Sequence, residues 1–93
     1  MKCYLAGRIR GVKGYEKQFA DAAQELRLRG FSVFNPAAAN QEGRPLSEIM
    51  AYLLPHLCRS EAIAMLPRWW TGLSGAWIEW LLAKYLKLEV IYL

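Results

Sequence analysis

Imidazole, aspartate and thiol groups are scarce in this chain. Asp21 is the only aspartate, His56 the only histidine, and Cys3 and Cys58 the only cysteines. Two cysteines provide no disulfide framework, and neither they nor a lone histidine has the ligand spacing of a zinc site. No metal and no cofactor is therefore expected, and His56 is assigned no role. Unpaired cysteines suit a reducing, cytoplasmic setting. Long apolar runs are missing as well. Lys2 is followed by no apolar stretch of the kind a secretory leader needs, and Glu79, Lys84, Lys87 and Glu89 interrupt the apolar C-terminal third, so no membrane span is expected. Runs of like charge are also lacking. The net charge of +4 is spread along the chain, and its tightest cluster is Arg8, Arg10 and Lys13. That pattern suits a small anionic ligand better than a nucleic-acid track.

Hydrophobic residues make up 55% of the 93 residues and tryptophan occurs four times. This length supports one domain, residues 1–93, and the apolar load exceeds what a small core absorbs, so a homodimer or higher homo-oligomer is expected. Residues 2–6 read as a strand, and Gly7-Arg8-Ile9-Arg10-Gly11 as a glycine-bracketed loop. A helix follows over about 13–29, with Tyr15, Phe19, Ala22, Ala23 and Leu26 at helical spacing and Gly30 as its left-handed stop. Residues 31–34 form a second strand ended by Asn35-Pro36, and 37–45 read as a surface loop. Ile49, Met50, Leu53, Leu54 and Leu57 mark a second helix over 47–58, which Pro55 should kink. A buried strand over 62–66, a helix over 74–87 and a strand over 88–93 complete the chain.

Strand and helix alternate throughout, which predicts a flavodoxin-like (Rossmann-like) α/β fold: a three-layer sandwich around a four-stranded parallel sheet. Ligands of such sheets bind beyond the carboxyl ends of the strands, where strand order reverses. The loops meeting there should be 7–11 and 69–75. Arg8 and Arg10 between glycines can hold a phosphate, and the hydroxyls of Thr71 and Ser74 with the start of the third helix can complete the cradle. Trp69 and Trp70 suit either a nucleobase platform or a core and dimer contact. Glu79 lies one turn inside a helix otherwise made of Trp77, Ile78, Trp80, Leu81 and Leu82. It is either a solvated outer-face residue or a carboxylate kept for chemistry, which the Tyr4 phenol can reach and orient.

Cys3-Tyr4-Leu5-Ala6-Gly7, Asn35-Pro36, Ala64-Met65-Leu66-Pro67-Arg68-Trp69, Ser74-Gly75-Ala76-Trp77-Ile78-Glu79 and the segment from Ala83 to Ile91 together span nearly the whole chain. In this arrangement the sequence resembles the nucleoside 2-deoxyribosyltransferase superfamily, most nearly its short phage and bacterial members. Gly7-Arg8-Ile9-Arg10-Gly11 is also similar to the Gly-Ser-Ile-Arg-Gly loop of the 2′-deoxynucleoside 5′-phosphate N-hydrolases, where that loop helps bind sugar and phosphate. The resemblance implies that Glu79 is the nucleophile at the anomeric carbon, that Tyr4 positions it, and that Arg10 and the region of Gly75 hold the nucleotide. Gly7, Arg8, Ile9, Arg10, Gly11, Trp69, Thr71, Ser74 and Gly75 are then the expected substrate-binding set. Leu73 stands where the transferases carry an acid and the hydrolases a serine, which leaves Thr71 or Ser74 to substitute. Glu61 matches a position usually held by Asp in the short members and is the candidate second acid. The expected ligand is a nucleoside or nucleotide whose N-glycosidic bond is cleaved or transferred. A nucleotide binder without turnover and a structural interaction module are the alternatives.

Overall fold

The computed structural model describes residues 1–9, 12–38, 44–71 and 75–93. Its elements are β1 (Lys2–Ala6), α1 (Tyr15–Leu28), β2 (Ser32–Phe34), a 3-10 turn (Pro36–Ala38), α2 (Leu46–Cys58), β3 (Ala62–Met65), α3 (Gly75–Tyr85) and β4 (Glu89–Tyr92). All strands are parallel, in the order β2-β1-β3-β4. The expected four-stranded flavodoxin-like α/β sheet is what the chain forms.

Right-handed crossovers fix the layers. The step from β1 to β2 runs one way along the sheet and the steps to β3 and β4 run the other, so α1 covers one face while α2 and α3 cover the opposite one. Side-chain alternation along the strands agrees with this. Cys3 and Leu5 of β1 with Ala62 and Ala64 of β3 pack on Phe19, Ala22, Ala23 and Leu26 of α1. Tyr4, Ala6, Ile63 and Met65 face Ile49, Leu53 and Leu57 of α2 and Ala76 and Ala83 of α3. Both faces of β1 and β3 are buried, which is why these two strands read as continuous apolar runs.

Most local signals act as expected. Gly30 holds φ at 96° just beyond α1. Pro55 falls in the last turn of α2, where it has no N–H to give the Ala51 carbonyl, and the helix nevertheless continues to Cys58. The stretch 37–45 departs from a plain loop. Asn35 accepts the Ala37 amide through Oδ1 at 3.0 Å, and this side-chain turn starts the 3-10 turn of Pro36–Ala38.

At the carboxyl edge of the sheet, two glycines mark close approaches. A Cβ on Gly75 would meet Met50 Sδ at 3.0 Å, and one on Gly7 would lie 2.7 Å from Leu66 Cδ1 and 2.9 Å from Leu66 Cβ. The flexible methionine can yield, but the Leu66 Cβ is fixed to β3's continuation. Gly7→Ala should therefore lower stability by about 1–3 kcal/mol, as overpacking does, read as a lower urea midpoint with unchanged slope; an unaltered midpoint would mean that the two loops do not approach this closely.

Candidate functional site

Strand order reverses between β1 and β3: the chain leaves β1 toward the α1 face and leaves β3 toward the α3 face. The crevice of such a sheet opens there, beyond the carboxyl ends of these strands. α3 begins at that edge, and Ala76, Glu79 and Ala83 are the residues it buries. Their spacing makes one sheet-facing stripe, with a carboxyl group between two alanines small enough to let the helix pack closely.

Glu79 is only 4% exposed, so the outer-face alternative is excluded. The Tyr4 hydroxyl, on the central strand β1, donates to Glu79 Oε2. Burial pushes the Glu79 carboxyl up from 4.5 to about 7, against the opposing pull of the Tyr4 bond. Burial, then the nearby Glu79 charge and the hydrogen bond to it, raise the Tyr4 phenol, which stays protonated and remains a donor. The pair joins a helix to the strand beside the switch point, and its carboxyl group is poised between ionised and neutral forms near neutral pH.

Aromatic rings surround this pair. Tyr4 stacks on Phe34 with centroids 5.5 Å apart, Phe34 on His56 at 4.1 Å, and Tyr52 meets His56 edge-on at 5.3 Å. His56, given no role from sequence, is thus the outer layer of a stack that holds the Tyr4 ring; only the docking of α2 beside β2 reveals this. Trp69 is 8% exposed, stacked on Trp80 at 5.4 Å and tilted against Trp77 at 4.9 Å. Of the two readings left open for the Trp69–Trp70 pair, nucleobase platform or core and dimer contact, Trp69 takes the core one and its neighbour Trp70 is exposed. Trp77 Nε1 donates to the Trp70 carbonyl at 3.2 Å, and Trp80 Nε1 to the Tyr92 hydroxyl at 3.1 Å.

The remaining expected residues divide by position. Gly7, Arg8 and Ile9 follow β1 at the carboxyl edge, with Arg8 exposed and Ile9 packed on the α1 side. Arg8 and Thr71 line a cleft of about 320 Å³ together with Gln18 and Arg68. Thr71 Oγ1 donates to the Arg68 carbonyl at 2.7 Å, so its hydrogen closes a turn. Gly75 is the first residue of α3. Arg10, Gly11, Leu73 and Ser74 lie outside the described residues. Glu61 is not brought to this edge: it precedes β3, and its Oε1 accepts the Lys2 amide at 3.1 Å at the amino ends of the strands. The role of second acid in this crevice is corrected for that reason, and a parallel sheet already implied it, since a residue before a strand lies opposite one after it. Arg68, three residues beyond the end of β3, is the cleft residue the sequence reading passed over. Cys3 is buried, which pushes its thiol up to about 11 and leaves it inert. Among the described residues no group of acidic, histidine and cysteine side chains can hold a metal ion, and no helix is long and apolar enough to cross a membrane.

Residues 1–92 match the family described as a domain of unknown function (DUF4406), and the chain belongs to that family. No curated protein and no solved structure matches it.

The Glu79 carboxyl makes stability depend on pH. Its folded-state pKa of about 7 exceeds the ordinary 4.5, so the folded form holds the proton more tightly. This contribution is complete below pH 4.5 and is lost as pH rises through about 7. The shift corresponds to about 3 kcal/mol. Denaturant titrations from pH 4.5 to 8 should show that decline in the native chain and a flatter profile in Glu79→Gln; parallel profiles would remove Glu79 as its source.

Proposed function

We propose that this member of the DUF4406 family binds a nucleoside or nucleotide at the carboxyl edge of its sheet and cleaves the N-glycosidic bond, with Glu79 as nucleophile. The observation that carries the reading is the buried Glu79 carboxyl, held by Tyr4 beside the switch point. A glutamate inside an apolar layer weakens the fold, and an apolar residue of similar size would pack there without that penalty. Its retention is explained by chemistry that needs a carboxylate.

In the proposed reaction a Glu79 oxygen attacks the anomeric carbon as the bond to the base breaks. The electron pair leaves on the base nitrogen, which takes a proton from solvent. Water then attacks the anomeric carbon, its bond to the Glu79 oxygen breaks and a proton returns to solvent, restoring the carboxylate, so that nucleotide and water become free base and sugar phosphate. A second base in place of water would make the reaction a transfer. Tyr4 acts through Glu79: its donated hydrogen bond fixes the carboxylate and leaves one oxygen for the attack. The free Cys3 and Cys58 support a reducing, cytoplasmic setting.

Self-association is part of the proposal. Ile78, Leu81 and Tyr85 form a helically spaced stripe on α3, exposed by 48%, 57% and 79%, and Lys84 is the only charged residue on the outer side of that helix. A second copy of the chain suits this apolar, nearly uncharged face better than a polar partner would. Sedimentation at micromolar concentration should give a multiple of 10.7 kDa, and Leu81→Glu should shift it toward the monomer; a monomer in the unaltered protein would overturn the expectation.

The glycosidase reading is tested by incubating the protein with a panel of nucleosides and monophosphates and measuring free base by chromatography. Release should rise with pH through about 7 as Glu79 ionises. Glu79→Gln keeps the size of the side chain and should lower release by orders of magnitude while ligand binding survives. No base from either form, with binding intact, would make the protein a nucleotide binder without turnover; undiminished release from Glu79→Gln would defeat the nucleophile assignment.

A further inference from the structure

A row of stacked rings runs from Tyr4 to α2. Tyr4 and Phe34 are register partners in the parallel pair β1–β2, and their rings stack at 5.5 Å with an interplanar angle of 22°. His56 stacks on Phe34 more closely, at 4.1 Å and 10°. Tyr52, one turn earlier on α2, meets the imidazole edge-on at 5.3 Å. β2 is the outermost strand of the sheet, so the support for Phe34 comes from the helix and not from a further strand. The backbone that carries the imidazole is fixed as well. Ser60, a buried residue, donates its hydroxyl to the His56 carbonyl at 2.9 Å, and the Arg59 and Ser60 amides close the same turn on the Pro55 and Leu57 carbonyls. A flat ring on a pinned turn thus ends a row that leads to the hydrogen-bond donor of Glu79.

We propose that His56 is a positioning residue for Glu79: through Phe34 it sets the orientation of the Tyr4 ring, and with it the hydrogen bond by which Tyr4 holds the carboxyl group. The consequence for turnover rests on the function proposed above; the effect on Glu79 does not. A hydrogen bond weakens steeply as it departs from linear, so a phenol free to tilt makes this one only part of the time. The role calls for a planar ring. An aliphatic side chain of similar size fills the volume beside Phe34 but offers no face to stack on it. The Tyr4 bond favours the ionised form of Glu79, so loosening it leaves burial less opposed and favours the neutral acid.

The test compares His56→Ala, His56→Leu and His56→Phe with the native chain in two measurements: stability against pH by denaturant titration, and base release against pH from the nucleotide panel. In the native chain the decline in stability should level off, and base release reach half its maximum, at about pH 7. His56→Ala and His56→Leu should move both points to higher pH and lower kcat about 3- to 10-fold with KM nearly unchanged, the scale of one stacked pair expressed as a rate. His56→Phe should keep both points and the native kcat. His56→Leu is the packing control: a native profile in that variant, or a uniform loss at every pH with neither point moved, would overturn the proposal. A His56→Phe variant that behaves like His56→Ala would overturn it too, because stacking would then not be what the imidazole supplies. A displaced stability profile with no base release from the native chain would sink the glycosidase and keep the positioning role; base release with both points fixed in every variant would do the reverse.

Discussion

The hydrogen bond from Tyr4 to Glu79 is where the demands of the fold and those of chemistry conflict. A carboxyl group between α3 and the central strand must give up most of its hydration, and among the described residues the Tyr4 phenol is its hydrogen-bond partner. The alanines on either side of it bring α3 close to the sheet, so water is excluded from the same space that lets the helix pack. The rest of the α3 face is arranged around that pair. Tyr4 is stacked in place by Phe34, Phe34 by His56, and the indoles of Trp69, Trp77 and Trp80 pack on one another. Rigidity of this kind suits the proposed role of Glu79, since a nucleophile's position has to be set before its substrate binds.

The carboxyl edge is tight for a related reason. Gly7 lies against Leu66, and Gly75 against Met50, so the chain segments leaving β1 and entering α3 come closer than side chains at these positions would allow. Glycine here serves close approach, since neither residue has the positive φ seen at Gly14 and Gly30. The consequence is a narrow rim with different chemistry on each side. The acid and its aromatic support lie over the α2 and α3 layer, while Arg8 and Arg68 line a cleft with Val12, Gln18 and Leu66. The two helices that flank the switch point follow neighbouring strands and depart to opposite faces, so this edge is bordered from both sides of the sheet.

Much of the architecture was determined by the sequence itself. β1 occupies the expected residues 2–6, the helices lie within a few residues of their apolar periods, and alternation of strand and helix led to the parallel sheet. These features are local or nearly so: helical spacing in α1, a glycine stop, and apolar runs long enough for a strand and too short for a helix. The sequence also singled out Glu79, as a carboxylate out of place on an apolar helix, and Tyr4 as a phenol within reach of it.

The environment of those groups was decided only by tertiary structure. α3 carries apolar residues all round, so its periodicity names no polar face, and whether Glu79 meets water or the sheet depends on how the helix docks through Ala76 and Ala83. Adjacent tryptophans were likewise undivided by sequence: Trp69 turns into the core and Trp70 out of it because the turn after Pro67 is closed by Trp69 bonding Leu66 and Thr71 bonding Arg68. Glu61 and Arg68 each flank β3 at a distance of a few residues, yet strand direction sends one to the amino edge, bound to the Lys2 amide, and the other to the cleft opposite Arg8. Spacing along the chain reveals which groups are present; which of them share a solvent-poor space follows from long-range packing, and that packing is what raises the Glu79 carboxyl into the neutral range.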